Sequence, residues 1–292
     1  MHKPLILLTA LFLLSCGTDV AGSDKYKLVW SDEFNGSAID TTSWNFMHGW
    51  AWNDEDQYYT NDSANAYIKD GCLVIEARRV HLPNPQYKPG STDNSTRREY
   101  IGYTSARLNT EGKHEFVYGR FEMRAKLPLG GGAWPAFWTL GKGRDWPDNG
   151  EIDIMEMYRV NGENAIHANV GWGSDKALNP VWNAQSMPIS HFMVDDPAWG
   201  DKFHVWRMDW TEQYIRLYVD DTLMNETLLR QTVNAERGGY INPFRGLPQY
   251  ILLNLAIGGN CGGQIDDSAF PMRYVIDYVR VYQKDSDDDI IK

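Results

Sequence analysis

Three acids stand close together in an otherwise apolar run, Gly150-Glu151-Ile152-Asp153-Ile154-Met155-Glu156-Met157-Tyr158. Burying a carboxylate is costly unless it is paired or used, so packing alone does not account for three of them. On a regular strand Glu151 and Asp153 share a face, because side chains alternate with a period of two. Glu156, three residues further on, would point the other way. One extra residue taken up as a β-bulge at Ile154–Met155 brings it back, so the E-x-D-x-x-E spacing predicts a bulged strand aiming all three acids into one cleft. Two such carboxyls are the equipment of glycoside hydrolysis: one attacks as nucleophile while the other keeps its proton for the leaving oxygen. Repulsion between like charges helps that second acid to stay protonated. Asp153 is placed to hydrogen-bond Glu151 and to influence when Glu156 gains or loses its proton. A carboxyl separation near ~5 Å predicts double displacement with retention, whereas inversion needs room for a water. The alternative, three solvated acids on an exposed strand, requires a polar outer face and explains no bulge.

A catalytic strand needs a sheet around it. Period-two alternation with strand-forming residues recurs at Tyr67–Ile68, Leu73–Ala77, Glu115–Leu127, Trp138–Leu140, Glu151–Tyr158, His167–Trp172, His204–Trp210, Tyr214–Val219, Tyr250–Ile257 and Tyr274–Tyr282. Turn sequences such as Lys69-Asp70-Gly71, Leu129–Gly132 and Val219-Asp220-Asp221 separate them. No long amphipathic helix interrupts the series, so βαβ architecture is excluded and an all-β fold is expected. So many short strands predict a β-jelly-roll sandwich of two antiparallel sheets, with residues 26–285 forming one domain. Twelve Trp, 16 Tyr and 10 Phe, 13% of the chain, suit both the core of such a sandwich and the walls of a sugar cleft.

A formal net charge of −11 argues against a nucleic-acid partner, because a phosphate backbone would be repelled. No CxxC, HExxH, GxxxxGK[ST], GxGxxG or GxSxG occurs, so zinc, nucleotide and serine-hydrolase chemistry lose their usual signatures. The amino terminus reads as an export signal: Lys3, then the apolar run Leu5–Leu14, too short to span a bilayer. Leu13-Leu14-Ser15-Cys16 looks like a lipobox, giving a lipoprotein signal peptide over 1–15, a lipidated Cys16 and a polar tether to residue 25. The expected location is the outer membrane, reached only through that anchor, with an acidic tail over 286–292 and a monomer as the default state. Export would leave Cys72 and Cys261 in an oxidising compartment, where they either pair or serve as small buried hydrophobes.

The chain resembles glycoside hydrolase family 16, within it the bacterial laminarinase-like and endo-β-galactosidase-like members. The resemblance rests on an ordered set of motifs across almost the whole chain. They include Trp30-Ser31-Asp32-Glu33-Phe34, Gln57-Tyr58-Tyr59-Thr60, Tyr103-Thr104-Ser105-Ala106-Arg107, Tyr118-Gly119-Arg120-Phe121-Glu122, Trp134-Pro135-Ala136-Phe137-Trp138, the acid motif, Leu253–Gly259 and Val275–Tyr282. It implies an open concave cleft suited to cutting inside a polymer, with Glu151 as nucleophile, Asp153 as assisting acid and Glu156 as acid/base. It implies sugar contacts from Trp134, Trp138, Asn53, Asp54, Arg107, Arg120, His167, Asn169 and Trp172, with core packing as the alternative role for Trp134 and Trp138 and a structural ion pair for Arg107 and Arg120. It further implies no cofactor for catalysis and a structural calcium ion on Glu33 and Asp277.

One segment departs from the laminarinase pattern. Where those enzymes commonly alternate His-x-Thr-x-His, this chain has His167, Asn169 and Gly171, and Gly171 is expected to leave space in the cleft. The stretch from Trp172 to Trp182 is similar to that of outer-membrane members from gut bacteria. The expected activity is therefore a retaining endo-β-glycosidase acting on internal β-1,3 or β-1,4 bonds, with laminarin or mixed-linkage β-glucan first. An endo-β-1,4-galactosidase acting on mucin O-glycans or poly-N-acetyllactosamine is the alternative. A surface glycan-binding lipoprotein is the non-enzymatic alternative, but it would have no use for three intact acids.

Overall fold

In the computed structural model, residues 26–284 are described, so the expected signal sequence, Cys16 with its tether, and the acidic tail lie outside the described residues. The chain enters through β1 (Tyr26–Asp32), β2 (Asn45–Phe46), β3 (Gly49–Trp50) and β4 (Gln57–Tyr59). A hairpin of β5 (Ala66–Lys69) and β6 (Cys72–Pro83) turns on Asp70 and Gly71, both at positive φ, the left-handed pair that matches strand twist. Next come β7 (Tyr100–Ser105), β8 (Arg107–Asn109), β9 (Glu115–Phe116) and β10 (Gly119–Lys126). The expected single strand over 115–127 is broken at Tyr118 and Gly119, whose φ values of 58° and 122° turn the chain from one sheet to the other. The middle of the chain supplies β11 (Ala133–Gly141), β12 (Glu151–Val160), β13 (Glu163–Trp172) and β14 (Val181–Pro188). It closes with β15 (His204–Trp210), β16 (Tyr214–Val219), β17 (Thr222–Leu228), β18 (Gln249–Ile257) and β19 (Met272–Lys284).

The strands form two sheets, as the alternation predicts. One runs β14-β13-β12-β11-β18-β8-β2, with β9 beside β18, and carries the acid motif; we call it the cleft sheet. The outer sheet runs β17-β16-β15-β10-β19-β6-β7-β4-β3, with β1 beside β19 and β5 beside β6. All pairings are antiparallel except β4 with β7. Between the sheets Phe121, Met123, Trp206, Met208 and Trp210 of the outer sheet meet Phe137, Ile152, Met155 and Leu253 of the cleft sheet, all essentially solvent-free. Burial of this apolar surface, at roughly 25 cal/mol per Å², is what holds the sandwich closed.

Alternation along β10 also corrects two expectations. Because Phe121 and Met123 point into the core, Arg120 and Arg124 point outward from the outer sheet, away from the cleft. Arg120 there grips Asp209 through two bonds of 2.7 and 3.1 Å, so it is a structural ion pair and touches no sugar site. The two acids expected to hold calcium are likewise taken. Glu33 is bound by Arg280 at 2.9 and 2.7 Å, which holds its carboxyl below the usual range, and Asp277 is bound by Arg124 at 2.6 Å. A guanidinium on each carboxylate does not fit a divalent cation, which would have to displace it. Cys72 and Cys261 are both free thiols. Addition of EGTA should therefore leave Tm unchanged; a fall that calcium restores would return a metal to Glu33 and Asp277.

Candidate active site

The site is built on β12 and its two neighbours. Against β13, Asp153 pairs with Asn169 and Glu156 with His167, so three residues of β12 span two of β13. The same slip appears against β11, where Trp138 pairs with Asp153 and Phe137 with Met155. Ile154 and Met155 are consecutive yet both lie in the core, so the extra residue is absorbed inward. Glu151, Asp153 and Glu156 consequently share the cleft face, as the spacing predicts.

Each carboxyl then acquires its own environment. Trp146 Nε1 donates to Glu151 Oε2 at 2.6 Å, and Trp134 Nε1 donates to Glu156 Oε1 at 2.7 Å. Asn169 Nδ2 reaches both Asp153 Oδ2, at 3.1 Å, and Glu156 Oε2, at 3.4 Å. Burial raises all three pKa values. Asp153, 2% exposed, is pushed up furthest, first by burial and then by the charges of Glu156 and Glu151. Its hydrogen bond to Glu151 favours the charge there. The same Glu151 charge is favoured by the Trp146 bond and by the Arg107 guanidinium. Glu156 is pushed up to about 7, mainly by burial; the Trp134 bond opposes the rise and the Glu151 charge adds to it. Three contacts thus oppose the rise at Glu151 and favour its anion, while Glu156 is poised to give up a proton near neutrality, and displacement at a sugar carbon needs such a division.

A pocket opens on the β11–β18 flank of these acids, lined by Trp52, Asn53, Glu55, Arg107, Trp134 and Trp138 among others. Arg107, 4% exposed, is sandwiched between the rings of Trp138 and Trp52 at 4.6 and 4.8 Å. Trp138 is fixed by donating to Asn254 Oδ1 at 2.8 Å. Asn53 and Asp54 both have positive φ, and this left-handed pair turns Asn53 into the pocket wall.

Two expected contacts are not brought to the pocket. Asp54 turns outward, 63% exposed in its side chain and 3.8 Å from Arg97. Trp172 faces the core, because its neighbour Gly171 is the residue opposite Glu151 and the strand alternates. His167 does lie beside Glu156, but its ring stacks on Tyr158 at 3.5 Å and burial lowers its pKa to about 4, so it is a neutral packing element. Gly171 does not leave space either: Trp182 fills it, with ring atoms 2.6 Å from where a Cβ would stand. Sequence reasoning missed Trp146, Trp52 and Asn254; the buried Glu55, beside Asn53 in the same loop, lines the pocket and its carboxylate accepts from Gln57 and Tyr59. Trp146 and Trp52 lie in loops outside any periodic segment, whereas Asn254 lies on the expected strand Tyr250–Ile257, whose near-continuous burial hides which face each residue takes.

A jelly-roll with this pair of opposed carboxyls defines an O-glycosyl hydrolase. The description "Glycosyl hydrolases family 16" matches residues 47–280. The β-glucanase of Rhodothermus marinus is 39% identical over 298 residues, covering 93% of each chain. The solved laminarinase from the same organism is 39% identical and superposes with a TM-score of 0.71 over 89% of this chain and 98% of its own. A solved endo-acting O-glycanase, which prominent members of the human gut microbiota express to initiate mucin breakdown, is 35% identical with a TM-score of 0.78. It is covered over 91% of its length by 89% of this chain. The chain belongs to glycosyl hydrolase family 16.

The pKa pattern sets the pH dependence. With Glu156 as the expected proton donor, kcat/KM should fall as pH rises through about 7. Trp134→Phe keeps a ring but removes a donor that lowers this pKa, so its alkaline limb should move upward. A pH–rate profile whose limb stays put or moves down would contradict the assignment of Glu156.

Proposed function

We propose that the protein hydrolyses internal β-1,3 or β-1,4 bonds of laminarin or mixed-linkage β-glucan, by double displacement with retention of configuration. The observation that carries this is the bulged β12, which sets an anion-stabilised Glu151 and a proton-bearing Glu156 on one face of an aromatic cleft. A Glu151 oxygen attacks the anomeric carbon while Glu156 gives its proton to the glycosidic oxygen, and the bond between them breaks. The leaving chain departs with that proton, and an ester joins Glu151 to the remaining sugar. Glu156, now a carboxylate, takes a proton from water, whose oxygen attacks the same carbon and releases Glu151. Asp153 supports both steps by donating to Glu151. The activities named for the Rhodothermus relatives support the β-glucan reading.

A second reading, endo-β-1,4-galactosidase action on mucin O-glycans or poly-N-acetyllactosamine, is favoured by two specific observations. Asn169 and Gly171 replace residues of the laminarinase pattern, and the mucin-acting relative superposes with the higher TM-score of 0.78. We also propose that the enzyme is an exported lipoprotein held at the outer membrane through Cys16. Incorporation of labelled fatty acid, lost in Cys16→Ser, tests the anchor.

Products from laminarin, lichenan, keratan and mucin O-glycans decide between the substrates. On whichever is cut, NMR of fresh product should show the β-anomer first; initial α-anomer would remove the retaining mechanism and Glu151 as nucleophile. Glu151→Gln should lose at least ~10³-fold in kcat while keeping oligosaccharide affinity. A wild type that binds glycans with no turnover would instead make it a binding lipoprotein.

A further inference from the structure

Glu151, Gly171 and Trp182 lie opposite one another across β12, β13 and β14, so all three share the cleft face. A Cβ on Gly171 would meet three atoms of the Trp182 ring at 2.6, 2.8 and 2.8 Å. Near-equal distances to three ring atoms mean that the indole lies face-on across the glycine. Glycine is needed here for closeness, since its φ is not in the left-handed region. Trp182 nonetheless keeps 41% of its surface exposed, so the ring face turned away from Gly171 is open. The other cleft-face residues that β14 contributes alongside it, Ala184 opposite Asn169 and Ser186 opposite His167, are small.

The strand that carries this ring is held firmly for an edge strand. Asn183, one residue on and so on the opposite face, donates to Asn225 Oδ1, Glu226 O and Thr227 Oγ1 of β17 at 3.1, 3.1 and 2.8 Å. Asn225 in turn donates to Asn183 O at 3.0 Å and to Ala168 O of β13 at 2.8 Å. Trp182 is therefore a fixed platform.

The pocket lined by Trp52, Asn53, Arg107 and Trp138 lies on the β11–β18 side of the acids. A polymer cut at β12 must leave across β13 and β14 on the other side, where Trp182 waits roughly two strand spacings, ~10 Å, away. We infer that Trp182, seated on Gly171, is the stacking platform for a β-linked pyranose of the leaving chain. The ring binds through the CH face of the sugar, and polymer is thereby preferred over short glycosides. The inference rests on the hydrolase reading and adds the leaving-group side of the cleft to it.

The test compares polymer with a 4-nitrophenyl oligoglycoside, whose phenol ends at the scissile bond. In Trp182→Ala the ratio of kcat/KM for polymer over aryl glycoside should fall about 10–100-fold. Gly171→Ala, which displaces the ring without removing it, should move the ratio the same way. An unchanged ratio in variants with wild-type circular dichroism and Tm would overturn the platform. Should wild type cut neither substrate, the hydrolase reading fails by itself. Oligosaccharide affinity, measured with and without Trp182→Ala in a Glu151→Gln background, then decides the platform: a weaker Kd supports it and an equal Kd removes it.

Discussion

The cost of desolvating three carboxyls on one strand governs the rest of the site. Without the bulge at Ile154–Met155, regular alternation would drive Glu156 into the core on the same face as Ile152 and Ile154. An unpaired charge there is unaffordable, so the strand either bulges or fails to fold. Once the bulge turns all three acids outward, burial raises every pKa, and the surroundings have to separate them. The two indole donors do this unequally. Trp146 joins Asp153 and Arg107 in favouring the anion at Glu151, while Trp134, with a smaller contribution from Asp153, moderates Glu156 against the charge of its neighbour. Asp153, deepest of the three, is pushed up by burial first and then by the charges of both neighbours.

What the sequence revealed divides along physical lines. The acid motif and most of the strands were legible because both depend on local periodicity, and the bulge followed from a spacing of three where two was needed. Strand β14 was not legible: its residues are largely exposed on both faces, so no alternation marks it. Trp172 and Arg120 were misplaced for a related reason. Motif similarity says that a residue belongs to the fold, but only register says which face it takes, and a shift of one position moves Trp172 into the core. Trp146 and Trp52 were missed because they reach the site from loops, where no period assigns a direction.

The two sheets divide their labour. Polar groups of the cleft sheet gather around one strand, whereas the outward face of β10, β15 and β19 spreads its charges into pairs such as Arg120 with Asp209 and Arg280 with Glu33. The more open of these, such as Arg280 with Glu33, contribute at most about 1 kcal/mol each. Their effect is to keep a broad strand surface polar, while aromatic and sulfur-bearing side chains fill the layer beneath.

The Asn183–Asn225 ladder has a further consequence. β14 ends the cleft sheet and β17 ends the outer sheet, so the ladder joins the free margins of both on that side of the molecule. An unpaired margin offers backbone donors and acceptors to any neighbouring chain, and many copies crowded on one surface would find such a template readily. Two asparagines, each bonding side chain and backbone across the gap, occupy that template from within and favour separate molecules over strand-to-strand association.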